Sequence, residues 1–256
     1  MPISAHRRAV PRAVLFDLFG TLVPAGGSAR GAVLLAMAAE LGADPDAFVA
    51  AARDSFDERA RGKLGGLEET LLVLAGRVGA APRPADVAKA AGIRLSFTRR
   101  LLSAPCETLG VLGSVRQAGL LTGLVSDCTI ETPTVWPNSS LARLVQATSF
   151  SCLLGVRKPD PGIYLHAVSR LGVAPEECLF VGDGGSRELT GAQALGMRAV
   201  RLLRAGEEEA DRYDHDAAFT GEAIATLSDV LGLLGLAGSS PRAASASVDA
   251  AAGAAS

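Results

Sequence analysis

The apolar run Val14-Leu15-Phe16 ends in a single carboxylate, Asp17, with Gly20 and Thr21 close behind. Such a run reads as a buried parallel strand over residues 13–16. A lone aspartate inside it costs several kcal/mol. Asp17 is therefore expected just past the strand's end, at the rim of a sheet. In open parallel sheets that rim, at the carboxyl ends of the strands, is where ligands bind. Gly20 allows a sharp turn and a close backbone approach. Taken alone, the same residues also fit a strand-ending aspartate that caps the next segment.

The rest of the chain has to supply a sheet for that strand. Residues 28–104 carry helical periodicity and no strand pattern. Helices are expected over residues 28–41, from Asp44-Pro45 onward with Phe48, Val49, Ala52 and Phe56 on one face, over 67–78, and from Pro84 to Leu102 with a bend at Gly92. Strand–helix alternation then resumes. Strands are expected over residues 120–125, 149–154, 178–181 and 197–202. Helices are expected over 106–117, 139–145, 161–171, 187–195 and 223–234. Alternation of this kind means a parallel sheet with right-handed crossovers. The expected fold class is a doubly wound α/β core, residues 1–24 and 105–237, interrupted by a helical domain at 25–104. Residues 1–11 read as a loose extension. The Ala/Ser/Gly/Pro-rich stretch 238–256 reads as a disordered tail.

Composition narrows the function classes. The 256 residues are 48% hydrophobic with a formal net charge of −2, so no general attraction to nucleic acid or anionic membrane is expected. Cys106, Cys128, Cys152 and Cys178 are too far apart for a metal or redox C-x-x-C, and His6, His166 and His215 are scattered. No apolar run approaches the ~18 residues of a membrane span. The default is a cytoplasmic protein. No signal sets an oligomeric state.

Three strands end in polar groups: at Asp17, at Ser126-Asp127 and at Gly182-Asp183. Lys158, one of only three lysines with Lys63 and Lys89, stands in Lys158-Pro159-Asp160-Pro161. These are the parts phosphoryl chemistry uses. A carboxylate attacks phosphorus, hydroxyls and turn amides hold its oxygens, and a lysine neutralises charge. Further carboxylates hold Mg²⁺, which takes few protein ligands.

The ordered set resembles the haloacid dehalogenase superfamily. Asp17-Leu18-Phe19-Gly20-Thr21 is similar to its first motif, Leu124-Val125-Ser126 to the second, Lys158-Pro159-Asp160-Pro161 to the third, and Val181-Gly182-Asp183 through Glu188 to the fourth. A helical insert directly after the first motif looks like the family's first-type cap. The resemblance implies a hydrolase with Asp17 as nucleophile and Ser126 and Lys158 as catalytic partners. It implies phosphate contacts from Gly20, Thr21, Ser126 and Asp127. It also implies Mg²⁺ held by Asp17, the Phe19 carbonyl, Asp183 and Glu188. The implied substrate is a small phosphorylated metabolite.

Phe19 departs from the family pattern. Most family phosphatases carry there the aspartate that protonates the leaving group, a contribution of about 10²–10⁴-fold. Metal-free dehalogenases of the family carry an aromatic residue there, so 2-haloacid dehalogenation, other carbon-centred hydrolysis and a non-catalytic phosphate-binding role remain alternatives. Asp183 and Glu188 are the metal-binding version and favour the phosphatase. Replacing Phe19 with aspartate is expected to restore an acid. Arg61 and Lys63, with Arg59, lie at a break between insert helices and are candidates for a charge-selecting loop; a solvated turn is the plainer reading. Arg30 has a similar claim, and Glu58 is the nearest candidate acid there. Cys128 and Trp136 read as packing residues, and Asp127 also fits a simple turn role.

Overall fold

In the computed structural model, residues 11–204 and 216–236 are described. The expected extension before residue 11 and the tail from 238 lie almost wholly outside them. The chain forms β1 (Ala13–Phe16), then the helices α1 (Gly27–Leu41), α2 (Pro45–Asp54), α3 (Phe56–Ala60), α4 (Leu67–Arg77) and α5 (Pro84–Leu101). Next come α6 (Cys106–Gln117), β2 (Leu121–Ser126), α7 (Glu131–Val135), β3 (Ala147–Phe150), α8 (Ser151–Leu154) and α9 (Pro161–Leu171). β4 (Cys178–Gly182), α10 (Glu188–Ala194), β5 (Arg198–Leu202), β6 (Glu222–Ile224) and α11 (Asp229–Leu233) complete it.

The strands form one sheet in the order β3-β2-β1-β4-β5-β6, every neighbouring pair parallel. The chain winds outward one way from β1 through β2 and β3, then returns and winds the other way from β4. The switch of direction lies between β1 and β4, where Phe16 stands opposite Val181. A crevice opens at the carboxyl ends of two such strands, and Asp17 and Asp183 stand there.

Both faces of the sheet are covered, as its apolar strands demand. Val14, Phe16, Leu124, Leu179 and Val181 pack on one side with Val111, Leu112 and Val115 of α6 and Val230 of α11. Ala13, Leu15, Val125 and Phe180 pack on the other with Ile163, Tyr164 and Ala167 of α9 and Leu189 of α10. The alternation along β1 and β4 is the period of two that a strand imposes. The helices α1, α2, α4 and α5 enclose a core of their own, with Met37, Phe48, Leu71, Leu74, Val87 and Phe97 buried. Asp44 caps α2 by accepting the Ala47 N–H at 2.9 Å, with Pro45 at the first helical position. Among the described residues no helix is long and apolar enough to cross a membrane.

Five expectations need correction. Residues 139–145 are turns, not a helix; the helix lies earlier, at α7, whose Pro133 sits in its first turn where no N–H is needed. The strand expected at 149–154 is β3, and the chain has already turned into α8 by Ser151. Leu153, in α8, is 61% exposed. Residues 222–224 pair with β5 as an edge strand instead of opening a helix, and α11 starts only after Asp229 has accepted the Ala225 and Thr226 N–H groups. Finally, α2 stops at Asp54, so Phe56 belongs to α3, and α5 runs through Gly92 as one helix.

Gly62 marks where the helical insertion meets the sheet domain. It has φ +68°, and a side chain there would collide with the Cys152 backbone carbonyl. Gly79 has φ +76° with nothing nearby. Gly79→Ala should therefore cost only the left-handed penalty, about 1 kcal/mol. Gly62→Ala should cost measurably more in urea unfolding. Equal losses would show that the contact does not hold the insertion to the sheet.

Candidate active site

Asp17 follows β1 and keeps its register, its N–H donating to Val181 O at 2.9 Å. The chain then folds back within six residues. Leu22 and Val23 both donate to Leu18 O at 2.9 Å, and Gly20 donates to Val23 O at 2.7 Å. Gly20 has φ +88°, and a side chain at this position would run into the Asp183 carboxylate. Its glycine is thus what lets the acids of β1 and β4 approach. Arg204, after β5, donates to Gly20 O and Thr21 O at 2.5 and 2.8 Å and clamps the turn from outside.

Three carboxylates meet here. Oxygens of Asp17, Asp183 and Glu188 lie within 4.8 Å of one another, all buried. Lys158 is wedged against them, its Nζ donating to Asp17 Oδ1 at 2.6 Å and to Glu188 Oε2. Burial pushes the Asp17 carboxyl up, Lys158 pulls it down, and Asp183 raises it again, with a net rise. Burial and the Asp17 charge also hold Glu188 well above its ordinary value despite Lys158. Burial alone would lower Lys158, but the two carboxylates keep it well above its usual value. Three acids against one ammonium leave an excess of buried negative charge.

The backbone around the acids is shaped to present them. Gly184, Ser186 and Arg187 have φ of 95°, 55° and 49°. Two of these are not glycine, which is a strained choice that clusters at functional sites. Asp183 accepts the Gly185 N–H and Glu188 accepts the Gly184 N–H, both at 2.9 Å. Beside the acids, the hydroxyls of Thr21 and Ser126 are buried and meet no hydrogen-bond partner in the protein. Orphaned buried hydroxyls are costly, and two at one crevice fit a polar ligand between them. A divalent cation fits the donor set as well: hard oxygens, excess negative charge and a glycine-made approach.

The site thus gathers Asp17, Gly20, Thr21, Ser126, Lys158, Asp183 and Glu188 at one rim. Asp127 is committed elsewhere, accepting the Lys158 N–H at 3.0 Å and Arg157 Nε at 3.3 Å, and so it positions the lysine's backbone. Arg61 pairs with Asp57 at 3.0 Å, and Lys63 is exposed. Arg157 also reaches Asp57 at 2.8 Å, which ties α3 to the sheet domain. Glu58 pairs with Arg77 at 2.7 Å. Cys128 and Trp136 are buried in the sheet core. Phe19 is half-buried under the Arg30 guanidinium, 5.6 Å from its ring centroid.

Arg94 and Glu131 had no signal in the sequence beyond their charge in apolar surroundings. They form a buried ion pair between α5 and α7, with Arg94 Nε 2.7 Å from Glu131 Oε1. Thr129 donates to the same carboxylate. Burial pushes Glu131 up, but Arg94 and the Thr129 hydroxyl prevail and hold it down at about 2.

The profile of the family described as haloacid dehalogenase-like hydrolase matches residues 11–196. The chain belongs to that family and is a hydrolase. It is 28% identical over 208 residues to glyceraldehyde 3-phosphate phosphatase of Methanopyrus kandleri, covering 80% of this chain and 89% of that one. It is 32% identical over 114 residues to (S)-2-haloacid dehalogenase 4A of Burkholderia cepacia, 44% of this chain and 49% of that one. Its fold is that of L-2-haloacid dehalogenase from Xanthobacter autotrophicus, with a TM-score of 0.61 at 20% identity over 88% of this chain and 98% of that one.

The Arg94–Glu131 pair carries a prediction. Glu131 lies below its ordinary value of 4.5, so it stabilises the fold above that pH. The contribution, on the order of 3 kcal/mol, should fade as pH falls from about 4.5 to about 2. Arg94→Met alone should cost about 3–5 kcal/mol by stranding a buried carboxylate, whereas Arg94→Met/Glu131→Leu should recover most of it. Urea unfolding between pH 2 and 7 checks both; a double variant as weak as the single would refute the pairing.

Proposed function

We propose that the protein is a Mg²⁺-dependent phosphatase that hydrolyses a small phosphorylated metabolite through an aspartyl-phosphate on Asp17. The observation that carries this reading is the buried triad Asp17, Asp183 and Glu188 around one lysine, beside two orphaned hydroxyls. Three clustered carboxylates match the oxygen-rich donor set that a divalent cation takes. The phosphatase from Methanopyrus, matched over most of both chains, supports the same reading.

In this reading Lys158 keeps Asp17 ionised and oriented for attack. An Asp17 oxygen forms the bond to phosphorus as the bond to the leaving oxygen breaks. The Thr21 and Ser126 hydroxyls receive the phosphoryl oxygens. Water then cleaves the acyl-phosphate, returning the carboxylate and inorganic phosphate. Asp17, the Phe19 carbonyl, Asp183 and Glu188 would hold Mg²⁺, which supplies charge neutralisation to the phosphoryl group when bound. We take residues 1–24 and 105–237 as the core domain and 25–104 as the cap that covers the crevice.

The aromatic at position 19 and the dehalogenase relatives favour a second reading, 2-haloacid dehalogenation. The two separate on metal. Asp17→Asn should abolish turnover of p-nitrophenyl phosphate with little change in melting temperature, and chelation should stop the wild type until Mg²⁺ is restored. Chelator-resistant chloride release from 2-chloropropionate, without phosphatase activity, would decide for the dehalogenase.

Phe19 makes the rate depend on the leaving group. Without a proton donor the departing oxygen carries its own charge, so p-nitrophenyl phosphate should outrun ethyl phosphate by far more than in enzymes with an acid, a handicap of ~10²–10⁴-fold. Phe19→Asp is expected from the sequence to narrow that gap, provided the pocket tolerates the smaller, charged side chain. The structure revises this expectation: a carboxylate at 19 would face Arg30, which favours its ionised form. Phe19→Asp should therefore gain nothing on ethyl phosphate. A tenfold gain would show that the aspartate donates a proton after all.

A further inference from the structure

Three arginines and one glutamate gather beside the crevice. Arg59 of α3 and Arg94 of α5 line a cavity of about 30 Å³ together with Thr129, Ile130 and Glu131. Arg30 of α1 lies over Phe19, two residues after Asp17. The Thr129–Glu131 wall follows Ser126 directly on the C-terminal side of β2, so the cavity stands on the same rim as the carboxylates.

The charges do not balance. Arg94 is paired with Glu131. Arg59 donates to the Ser55 hydroxyl at 3.1 Å and to the Ala52 carbonyl, and Arg30 to the Ala25 carbonyl at 2.6 Å. These are neutral acceptors. Burial lowers Arg59 to about 10 and also lowers Arg30, with Arg94 opposing both and Glu131 supporting both; each stays cationic at neutral pH. Among the described residues, Nη1 of Arg59 and of Arg94 have no protein acceptor. Arg61 and Arg157, by contrast, each have a carboxylate.

We propose that this arginine cluster is the subsite for a second anionic group of the substrate, a carboxylate, so that the protein acts on small phosphorylated carboxylic acids. The phosphorylated half of that statement rests on the phosphatase reading; the carboxylate half does not. A planar carboxylate matches the guanidinium fork. A cavity of about 30 Å³ has room for roughly two waters, the size of a carboxylate group. Leu34, Met37 and Leu71 in its wall disfavour a bulkier, strongly hydrated second phosphate.

The test compares 2-phosphoglycolate with ethyl phosphate, nearly the same shape with and without a carboxylate. Wild type should prefer 2-phosphoglycolate in kcat/KM, chiefly through KM, by about ten- to a hundredfold, the worth of one charge-assisted contact. Arg59→Gln should collapse that ratio, and Arg59→Lys should keep part of it. Equal losses on both substrates in Arg59→Gln would mean a structural role and would overturn the subsite. Calorimetry on Asp17→Asn reads binding without turnover. If wild type hydrolyses neither phosphate, but Asp17→Asn binds 2-phosphoglycolate at least tenfold more tightly than ethyl phosphate and Arg59→Gln erases the gap, the subsite stands and the phosphatase reading falls. If both phosphates are hydrolysed and bound alike, the subsite falls and the phosphatase reading stands. Chloride release from 2-chloropropionate that is lost in Arg59→Gln would keep the carboxylate subsite and move the chemistry to carbon.

Discussion

One buried ammonium holds this site together. Lys158 sits between Asp17 and Glu188, both inside the protein, where either charge alone would be driven to neutrality. Its position is itself fixed from behind, because Asp127 accepts the lysine's own N–H and pairs with Arg157. The carboxylate after β2 thus places the lysine's backbone. Gly20 and Gly182 complete the arrangement from the other side, since a side chain at either would occupy the space of Asp183 or Glu188. The arrangement needs both the attractive pairing and the absence of two Cβ atoms.

The same economy explains why the central site was legible in the sequence. Asp17, Ser126, Lys158 and Asp183 each end an apolar strand or stand in a short polar motif, and strand ends of a parallel sheet can lie only on one rim. β1, α6 and α9 have the boundaries that periodicity and caps indicate. The misreadings share a cause. Residues 149–154 and 223–234 are short apolar runs, in which strand and helix patterns coincide, and only the pairing partner decides. β6 forms because β5 offers an open edge, a fact no local pattern contains.

The charged residues around the crevice were less legible, for a different reason. Arg61 and Lys63 sit at a helix break and looked available; the structure gives Arg61 to Asp57 and leaves Lys63 in solvent. Arg94 lies mid-helix in α5, and Glu131 lies in a segment full of Pro and Thr that reads as loop. The sequence separation of 37 residues between them hides the pair. Long-range ion pairs leave no periodic signal, and their meaning comes only from what the fold buries with them.

Phe19 joins these two halves of the site. Seen as a sequence position it is a loss, an acid replaced by an aromatic. In the fold it is a platform: its ring carries the Arg30 guanidinium, an arrangement worth about 0.5–2 kcal/mol depending on desolvation. An arginine held beside the nucleophile's loop works against a neutral carboxylic acid at the same place, since the cation favours the ionised carboxylate. At this rim the fold places positive charge, not a carboxyl group, beside the loop that follows Asp17. The identity of residue 19 and the arginine cluster are in that sense one feature, reached from two ends of the chain.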